Sequence, residues 1–311
     1  MNREPAVFAS GLTKRFGATL AVDGISLEIP EGEIFGLVGP DGAGKSSTLR
    51  MLAGILPPDA GLLQVLGRDL MADPEAAKSD TGYMPQSVGL YGDLTVLENL
   101  RFYADLFEAP RREREERIPE LLRFAGLDRF GDRLARNLSG GMQQKLGLIC
   151  SLIHRPKLLL LDEPTNGVDP VSRRDFWKIL AGLMRERVTL VVSTAYMDEA
   201  ERCHRVGLLH QGRFLDIGTP AALKAALPGR IVEIRSDDAR RARTLIEGMP
   251  RADQVTLAGD RIHIQAHDAE EVILSARRLL ESNGVGILDI RTVPPSLEDL
   301  FVFQMTAASK P

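Results

Sequence analysis

One short segment constrains this fold more than any other: a glycine-rich stretch between a strand-like run and a helix-like run. It extends from Gly39 to Ser46 and fits the pattern G-x-x-x-x-G-K-[ST]. The apolar run before it, Ile34–Val38, is typical of a buried parallel strand, and the apolar spacing over 46–53 predicts a helix. In such a loop the glycines let backbone N–H groups converge on phosphate oxygens, and the helix N-terminus adds partial positive charge. The segment predicts a phosphate-binding loop.

The residue types of this loop assign roles to individual side chains. Lys45 is expected to reach the β- and γ-phosphates of a nucleotide, and the Ser46 hydroxyl to ligate Mg²⁺. The other loop residues predicted to contact the nucleotide are Gly39, Pro40, Asp41, Gly42, Ala43 and Gly44.

A second motif supplies acidic groups at the end of another predicted strand. The apolar run over 157–161 is followed by Asp162 and Glu163. Asp162 is placed to orient Mg²⁺, and Glu163 to polarise the attacking water. Adjacent carboxylates at a strand end are costly unless a cation or a proton separates them. Together the two motifs predict a P-loop nucleoside triphosphatase.

The order of predicted elements indicates an α/β fold with two domains. Short strands in the first 30 residues read as antiparallel, the runs at 34–38, 157–161 and 188–193 as a mainly parallel sheet, and 95–155 as largely helical. Beyond about residue 220 the pattern becomes βαββαβ, which suggests a small α+β module of the ferredoxin-like type. We therefore predict a nucleotide-binding domain over 5–220, with a helical subdomain at about 87–155, and an accessory domain over 221–311.

Net charge, cysteine spacing and the lengths of apolar runs indicate which classes of partner to expect. The formal net charge of −4 over 311 residues gives no reason to expect nucleic-acid binding, and the charged run at 111–117 is interpreted as a solvated helix face. The two cysteines show no metal-ligand spacing, which favours a reduced chain. No apolar run approaches the roughly 18–20 residues that cross a bilayer, and the opening segment over 1–5 does not resemble a signal peptide. A role at a membrane would therefore require a separate membrane-spanning partner.

The segment Leu-Ser-Gly-Gly-Met-Gln-Gln at 138–144 narrows the family, because it resembles the signature sequence of ABC-type ATPases. The resemblance implies the ABC-ATPase fold, with an antiparallel β-subdomain and a helical subdomain beside the parallel sheet. It also implies that Ser139, Gly140 and Gly141 bind the γ-phosphate of ATP held by an opposing subunit. Since this chain carries one such domain, we expect it to dimerise with itself or with a related chain.

The resemblance assigns further positions in the same way. Phe16 matches the aromatic residue that stacks on adenine, although a single Phe in a strand is by itself more often a core residue. Ser47 matches the residue that contacts the α-phosphate. Gln86 matches the glutamine that contacts Mg²⁺ and links the site to a transmembrane partner, and the stretch 167–170 matches the loop between subunits. The implied catalytic set is Glu163, Gln86 and Lys45.

One position departs from the family pattern. After the strand that ends at Thr194, the family has a histidine that contacts the γ-phosphate and the catalytic glutamate, whereas this chain has Ala195. Losing one oriented polar contact in a dry site commonly costs about 10²–10³ in rate, so we expect ATP binding to survive and hydrolysis to be weakened. Asp41 also replaces the more usual asparagine in the loop.

Several phrases resemble ATPase subunits of ABC-2-type exporters, among them Tyr-Met-Asp-Glu-Ala at 196–200 and the tail at 294–301. The resemblance implies an ATP- and Mg²⁺-dependent subunit at the cytoplasmic face of the inner membrane, bound to an ABC-2-type permease. Two alternatives stay open: a catalytically impaired partner of another ABC ATPase, which Ala195 favours, and a soluble ABC ATPase outside transport. The latter usually carry two ATPase domains or a long coiled-coil insertion, which this sequence lacks.

Overall fold

The computed structural model describes residues 4–249 and 254–308, and the chain divides into two compact units between Ile217 and Gly218. Each unit has its own hydrophobic core. The domain assignment of 5–220 and 221–311 stays a prediction, and its positions 250–253 and 309–311 lie outside the described residues. The first three residues of the opening segment lie outside them too.

Ten strands and six helices lead up to the division among the described residues. The strands are β1 (Val7–Phe16), β2 (Thr19–Ile29), β3 (Ile34–Val38), β4 (Ala60–Val65), β5 (Arg68–Asp69), β6 (Thr81–Met84), β7 (Leu158–Asp162), β8 (Thr189–Thr194), β9 (Arg205–His210) and β10 (Arg213–Gly218). The helices are α1 (Lys45–Leu52), α2 (Val96–Leu106), α3 (Arg111–Ala125), α4 (Gly140–Ser151), α5 (Pro170–Leu183) and α6 (Met197–Ala200).

A six-stranded sheet in the order β10-β9-β3-β8-β7-β6 forms the centre of the first unit. The pairs of β3 with β8 and β9, of β7 with β8, and of β6 with β7 are parallel. Every residue of β3, β7 and β8 is buried, which explains their continuous apolar sequences. Because carboxyl ends of parallel strands share one edge, the segments that follow β3, β6, β7 and β8 lie together there.

A separate four-stranded sheet has the order β2-β1-β4-β5. Strand β1 pairs antiparallel with β2 and with β4, as expected from the short strand-like segments of the first 30 residues. Phe16 is the last residue of β1 and lies opposite Thr19 across the turn. This turn therefore presents Phe16 at the end of the sheet, outside the core.

The predicted helical stretch contains α2, α3 and α4. Thr95 and Glu98 form a reciprocal capping box at the start of α2, and the Ser139 side chain caps α4. The interpretation of 111–117 as a solvated face is wrong for one residue. The Arg117 side chain is only 8% exposed, because the apolar residues Ile118, Leu121 and Leu122 turn this side of α3 toward the interior.

The second unit contains four more strands and four helices in the described residues. The strands are β11 (Arg230–Ser236), β12 (Gln254–Ala258), β13 (Arg261–Ala266) and β14 (Ile287–Val293), and the helices are α7 (Pro220–Ala225), α8 (Ala239–Glu247), α9 (Ala269–Ser282) and α10 (Leu297–Ala308). From β11 to β14 the order is βαββαβ, and the antiparallel sheet has the order β12-β13-β11-β14.

The start of β14 is determined by contacts of the two residues before it. Val285 belongs to the core of the second unit, and the Gly286 N–H donates to the Asp237 side chain at 2.9 Å. These contacts fix the turn before β14, so the strand starts at Ile287. None of the helices in the described residues is both long and apolar enough to cross a membrane.

Candidate functional site

The loop between β3 and α1 is packed too closely for side chains at two of its glycines. Gly44 has a φ angle of 105°, in the left-handed region, and a Cβ atom there would lie 2.5 Å from the Ala21 main-chain oxygen. A Cβ atom on Gly39 would lie 2.1 Å from the Leu209 main-chain oxygen. The loop ends at Lys45, where α1 begins and its N-terminal partial positive charge is located.

A cavity of about 630 Å³ opens beside this loop. Ten residues of the predicted site line it: Phe16, Asp41, Gly42, Ala43, Gly44, Lys45, Ser46, Ser47, Gln86 and Glu163. The Phe16 residue is 50% exposed, so its ring has a free face for a planar ligand, which core packing would have removed. Gln211, which the sequence did not single out, also lines the cavity.

Lys45 is the best-buried cation of the site, at 3% exposure. Its Nζ donates to the main-chain oxygens of Gly39 and Pro40 at 2.8 and 3.0 Å, and it lies 3.0 Å from Glu163 Oε1. A buried ammonium needs such partners to offset its lost hydration. Gly39 and Pro40 thus act through their carbonyl groups on Lys45, whereas the residues after them line the cavity.

Asp162 has one satisfied and one unsatisfied carboxylate oxygen. Ser46 Oγ and Ser193 Oγ both donate to Oδ1, at 2.9 and 2.7 Å, whereas the buried Oδ2 has no hydrogen-bond partner. An unpartnered carboxylate oxygen beside a serine hydroxyl fits a hard cation with oxygen ligands such as Mg²⁺. No cluster of three or more His, Cys, Asp or Glu side chains capable of holding a metal occurs in the described residues. Phosphate oxygens would have to complete such a site.

Glu163 stands on a left-handed backbone, with a φ angle of 47°. Its N–H donates to Ser193 Oγ at 2.8 Å, and its Oε2 accepts from Gln86 Nε2 at 3.0 Å and from Asn166 Nδ2 at 3.2 Å. This conformation is uncommon for a residue with a side chain and persists where surrounding contacts impose it. The position of the Glu163 carboxylate beside the cavity therefore depends on these hydrogen bonds, because the backbone of an extended strand would not direct the side chain there.

The phenol of Tyr83 lies close enough to Asp162 to influence the charge of the site. Burial raises the pKa of Tyr83, an effect that Arg50 opposes and the Asp162 carboxylate reinforces. The phenol therefore stays neutral and adds no third negative charge next to Asp162 and Glu163.

The signature residues lie away from this cavity within one chain. Ser139 accepts a hydrogen bond from the Met142 N–H at 3.3 Å, and a Cβ atom on Gly140 would meet nothing within 4 Å. Neither these two residues nor Gly141 lines the cavity. The structure brings together the loop, Asp162, Glu163 and Gln86, and it leaves the signature at the free N-terminus of α4.

Ala195 borders a second, smaller cavity of about 150 Å³, which Glu163, Asn166 and Tyr196 also line. Behind it, buried Glu199 accepts hydrogen bonds from the hydroxyls of Thr165 and Thr194. Asn166, Ser193 and Glu199 are site residues that the sequence reasoning missed. A polar residue three positions after Glu163 was the available signal for Asn166. Glu199 gave no signal, because its contact with Thr165 joins segments 34 residues apart and its other partner, Thr194, belongs to a continuous buried strand.

Comparison with known proteins shows what the chain resembles. Residues 22–166 match the family model described as ABC transporter. The probable multidrug ABC transporter ATP-binding protein YbhF of Escherichia coli is 47% identical over 229 residues, which cover 73% of this chain and 40% of YbhF. The chain thus spans less than half the length of that relative.

A second relative is similar over nearly its whole length. The Nod factor export ATP-binding protein I of Ralstonia nicotianae is 37% identical over 300 residues, covering 96% of this chain and 93% of that protein. Among solved structures, an ATP-binding subunit of an ABC transporter superimposes with a TM-score of 0.64 at 29% identity, covering 71% of this chain and 92% of that one. A dimeric ATP-binding cassette in a post-hydrolysis state with ADP and Pi superimposes with a TM-score of 0.62 at 27% identity, covering 68% and 98%.

Proposed function

This chain belongs to the ABC transporter family as an ATP-binding subunit, and from that premise we propose that it hydrolyses ATP to power an ABC-2-type exporter. The strongest support for this proposal is the arrangement of four side chains. Lys45, Ser46, Asp162 and Glu163 meet beside a cavity of about 630 Å³, with an acceptor oxygen of Asp162 left unpartnered. A phosphate cradle, a cation ligand and a carboxylate base are thus available at one place.

The roles of the site residues follow from their contacts. When ATP binds, Lys45 leaves its ion pair with Glu163 and contacts the β- and γ-phosphates. Backbone N–H groups of the loop donate to the phosphate oxygens, and the Phe16 ring stacks on adenine. Ser46 and Asp162 would hold Mg²⁺ with Gln86 beside them. Mg²⁺ supplies charge neutralisation at the phosphates. Glu163 accepts a hydrogen bond from the attacking water and orients it toward the γ-phosphate.

A second subunit completes this site in the proposal. Ser139, Gly140 and Gly141 begin α4 without contact to their own cavity, and α4's N-terminus carries partial positive charge suited to a phosphate. The dimeric cassette among the solved relatives supports pairing of two such chains. We infer that ATP binding closes the dimer and hydrolysis reopens it, because the closed form has the greater affinity for ATP.

The partner and the place of action are proposed from the relatives. YbhF is described as a multidrug transporter protein and the Ralstonia protein as a Nod factor exporter, which supports export as the direction. We propose that the chain docks on an ABC-2-type permease at the cytoplasmic face of the inner membrane. We expect the amount of the chain recovered with the membrane fraction of cells to rise when the permease is co-expressed. Equal recovery without a permease contradicts the docking.

ATP hydrolysis by the purified chain tests the proposal. Wild type is expected to turn over ATP in a Mg²⁺-dependent manner. Glu163→Gln is expected to bind ATP with unaltered affinity but to lose turnover by about 10³-fold or more, because its side chain cannot accept the water's proton. Glu186→Gln, which changes an exposed carboxylate outside the cavity, is the matched control and should retain wild-type turnover. A wild type that binds ATP without turnover would instead favour a catalytically impaired partner subunit.

A further inference from the structure

The two carboxylate oxygens of Glu163 have different kinds of partner. Lys45 Nζ lies 3.0 Å from Oε1, whereas the side-chain amides of Gln86 and Asn166 donate to Oε2 at 3.0 and 3.2 Å. A cation therefore holds one oxygen, and two neutral donors hold the other.

Only the cation has to leave when nucleotide enters the cavity. Lys45 is the group that turns to the phosphates, so Oε1 becomes available to the attacking water. Gln86 is also assigned to Mg²⁺, whereas Asn166 has no such competing task and keeps the carboxylate in its orientation through Oε2. A base held through one oxygen presents the other in a fixed direction, which is the geometric requirement for efficient proton transfer.

Asn166 is well placed to keep this hold because its own loop is anchored. Its N–H donates to the Glu163 main-chain oxygen at 3.1 Å, which closes a tight turn between the two residues. The intervening Thr165 is buried and donates to the buried Glu199. Asn166 also lines the 150 Å³ cavity next to Ala195, whose methyl side chain offers Glu163 no donor.

We propose that Asn166 is a positioning residue for ATP hydrolysis, fixing Oε2 of Glu163 in a chain that has no donor at position 195. The inference rests on the proposed ATPase function. It implies that Ala195 leaves hydrolysis intact, in contrast to the weakening expected from the sequence.

Steady-state hydrolysis by Asn166 variants of the full chain tests the proposal. Asn166→Ala and Asn166→Leu, which keeps a side chain of similar size without a donor or a charge, are expected to lower kcat by about 10- to 100-fold, as for loss of a hydrogen bond to a charged group. The KM for ATP should change by less than about 2-fold, since Asn166 is not expected to touch nucleotide. Asn283→Ala, which removes an amide in the second unit, is the matched control and should have no effect.

Recovery of kcat by a second substitution distinguishes a positioning role of Asn166 from a loss of folding in the Asn166→Ala chain. Introducing Ala195→His into the Asn166→Ala chain provides a new donor from the 150 Å³ cavity and should recover at least about a tenth of the lost kcat. An active wild type whose kcat is unchanged by either Asn166 substitution overturns this inference alone. Failure of Ala195→His to raise kcat in the Asn166→Ala chain also counts against it. A wild type that binds but does not hydrolyse ATP overturns the proposed function together with it.

A different part of the first unit carries a second inference. A pocket of about 250 Å³ lies at the amino ends of β7 and β8, lined by four cationic residues and one acidic residue, namely Arg117, Arg155, Lys157, Arg187 and Glu186. The nucleotide cavity is reached from the opposite ends of these strands. Five residues of strand separate the two edges by about 17 Å, so the pocket is a separate place.

The cations of this pocket are only partly neutralised. Arg117 pairs with Glu120 at 2.8 Å and more distantly with Glu186 at 3.8 Å, and its buried Nε has no acceptor. Arg155 and Arg187 form no ion pair with the part of the chain that the structure describes. Arg117 lines this pocket with an unpartnered Nε donor, and an anion bound there would give that donor an acceptor.

We infer that this pocket binds an oxyanion of the phosphate class, either a free phosphate compound or a phospholipid headgroup. Calorimetric titration of pyrophosphate into the full chain, with the nucleotide site filled by Mg²⁺ and ADP, tests the site. The double variant Arg155→Gln/Arg187→Gln is expected to weaken binding by at least about tenfold through loss of two charge-assisted contacts. The neighbouring Arg185→Gln, outside the pocket, is the matched control and should bind as wild type does.

Vesicles distinguish the two sources of the phosphate group. Co-sedimentation with phosphatidylglycerol vesicles but not with phosphatidylcholine vesicles, lost in the double variant, identifies a lipid headgroup. Pyrophosphate binding without vesicle binding identifies a soluble phosphate compound. Equal binding of both probes by wild type and the double variant, or binding of neither, overturns the inference.

Discussion

Lys45 and Glu163 form a buried ion pair, and replacing one partner should lower the stability of the first unit more than replacing the other. The pair lies at 3.0 Å with exposures of 3% and 9%. Lys45 also donates to two main-chain oxygens, whereas Glu163 Oε1 has no further hydrogen bond or ion pair among the described residues. Lys45→Met therefore removes the sole partner of Oε1, and Glu163→Gln leaves Lys45 with two of its three.

The magnitudes follow from this asymmetry. Removing one member of a buried pair costs about 3–5 kcal/mol when the remaining charge is uncompensated. The amides of Gln86 and Asn166 still hold Oε2, so we expect the lower end for Lys45→Met, about 3 kcal/mol. Glu163→Gln should cost about 1 kcal/mol. The variant with both Lys45→Met and Glu163→Gln leaves no unpaired charge, so its free energy of unfolding should fall by only about 2 kcal/mol. This result would correspond to a coupling energy of about 2 kcal/mol between the two positions.

Urea unfolding of the nucleotide-free chain measures these values. The chain has a single tryptophan, Trp177, which is buried in α5, so its fluorescence reports on the first unit alone. The same variants should shift Tm by about 2–4 °C for each kcal/mol. Additive effects of the two substitutions, or a Lys45→Met chain as stable as wild type, would refute the reasoning that this pair is buried and coupled.

Three further effects are expected from single substitutions. Gly39→Ala should destabilise the first unit by more than about 3 kcal/mol, because its Cβ atom would lie 2.1 Å from a main-chain oxygen. Gly140→Ala, whose Cβ atom would meet nothing within 4 Å, is the control in the same unit and should change the free energy of unfolding in urea by less than about 1 kcal/mol. Asp169→Ala removes the side chain that accepts hydrogen bonds from two N–H groups at the start of α5. It should lower the free energy of unfolding, followed by Trp177 fluorescence, by about 1 kcal/mol. An Asp169→Ala chain more stable than Asp169→Gly would argue against a capping role. The hydrogen bond of His263 to Asp299 raises the pKa of His263, against the opposing effect of burial. This contact should stabilise the second unit fully below the unfolded pKa of about 6.5, and its contribution should be lost as pH rises through the higher folded pKa. The protection factors of amides in β13, which are corrected for the intrinsic pH dependence of exchange, should fall over this range in wild type and not in His263→Gln.

The parts of the fold that the sequence predicted correctly are those in which a local motif determines the backbone conformation. The loop from Gly39 to Ser46 needs glycines at tight backbone positions, so its residue types alone reveal its shape. The buried strands could be predicted for the same reason, because uninterrupted apolar runs have few alternatives to the centre of a parallel sheet.

What the sequence did not reveal depends on contacts between distant segments. Ser193 lies 31 residues from the Asp162 oxygen to which it donates, and Glu199 lies 34 residues from Thr165. Arg117 belongs to a charged run that is typical of a solvated surface, and only the packing of α3 shows that this one residue is buried. Residue type carries little information in such cases, since a serine or an arginine is found in many environments.

The adjacent carboxylates of Asp162 and Glu163 illustrate how structure answers a problem that sequence can only pose. Two neighbouring negative charges at a buried strand end require compensation, and the sequence alone predicts that a cation or a proton separates them. The structure instead separates the two groups. Left-handed backbone at Glu163 turns its side chain to Lys45 and two amides, while Asp162 keeps two serine hydroxyls and an open oxygen. The two neighbouring carboxylates therefore have separate sets of partners, and the roles proposed for them, Asp162 toward a metal ion and Glu163 toward water, depend on this separation.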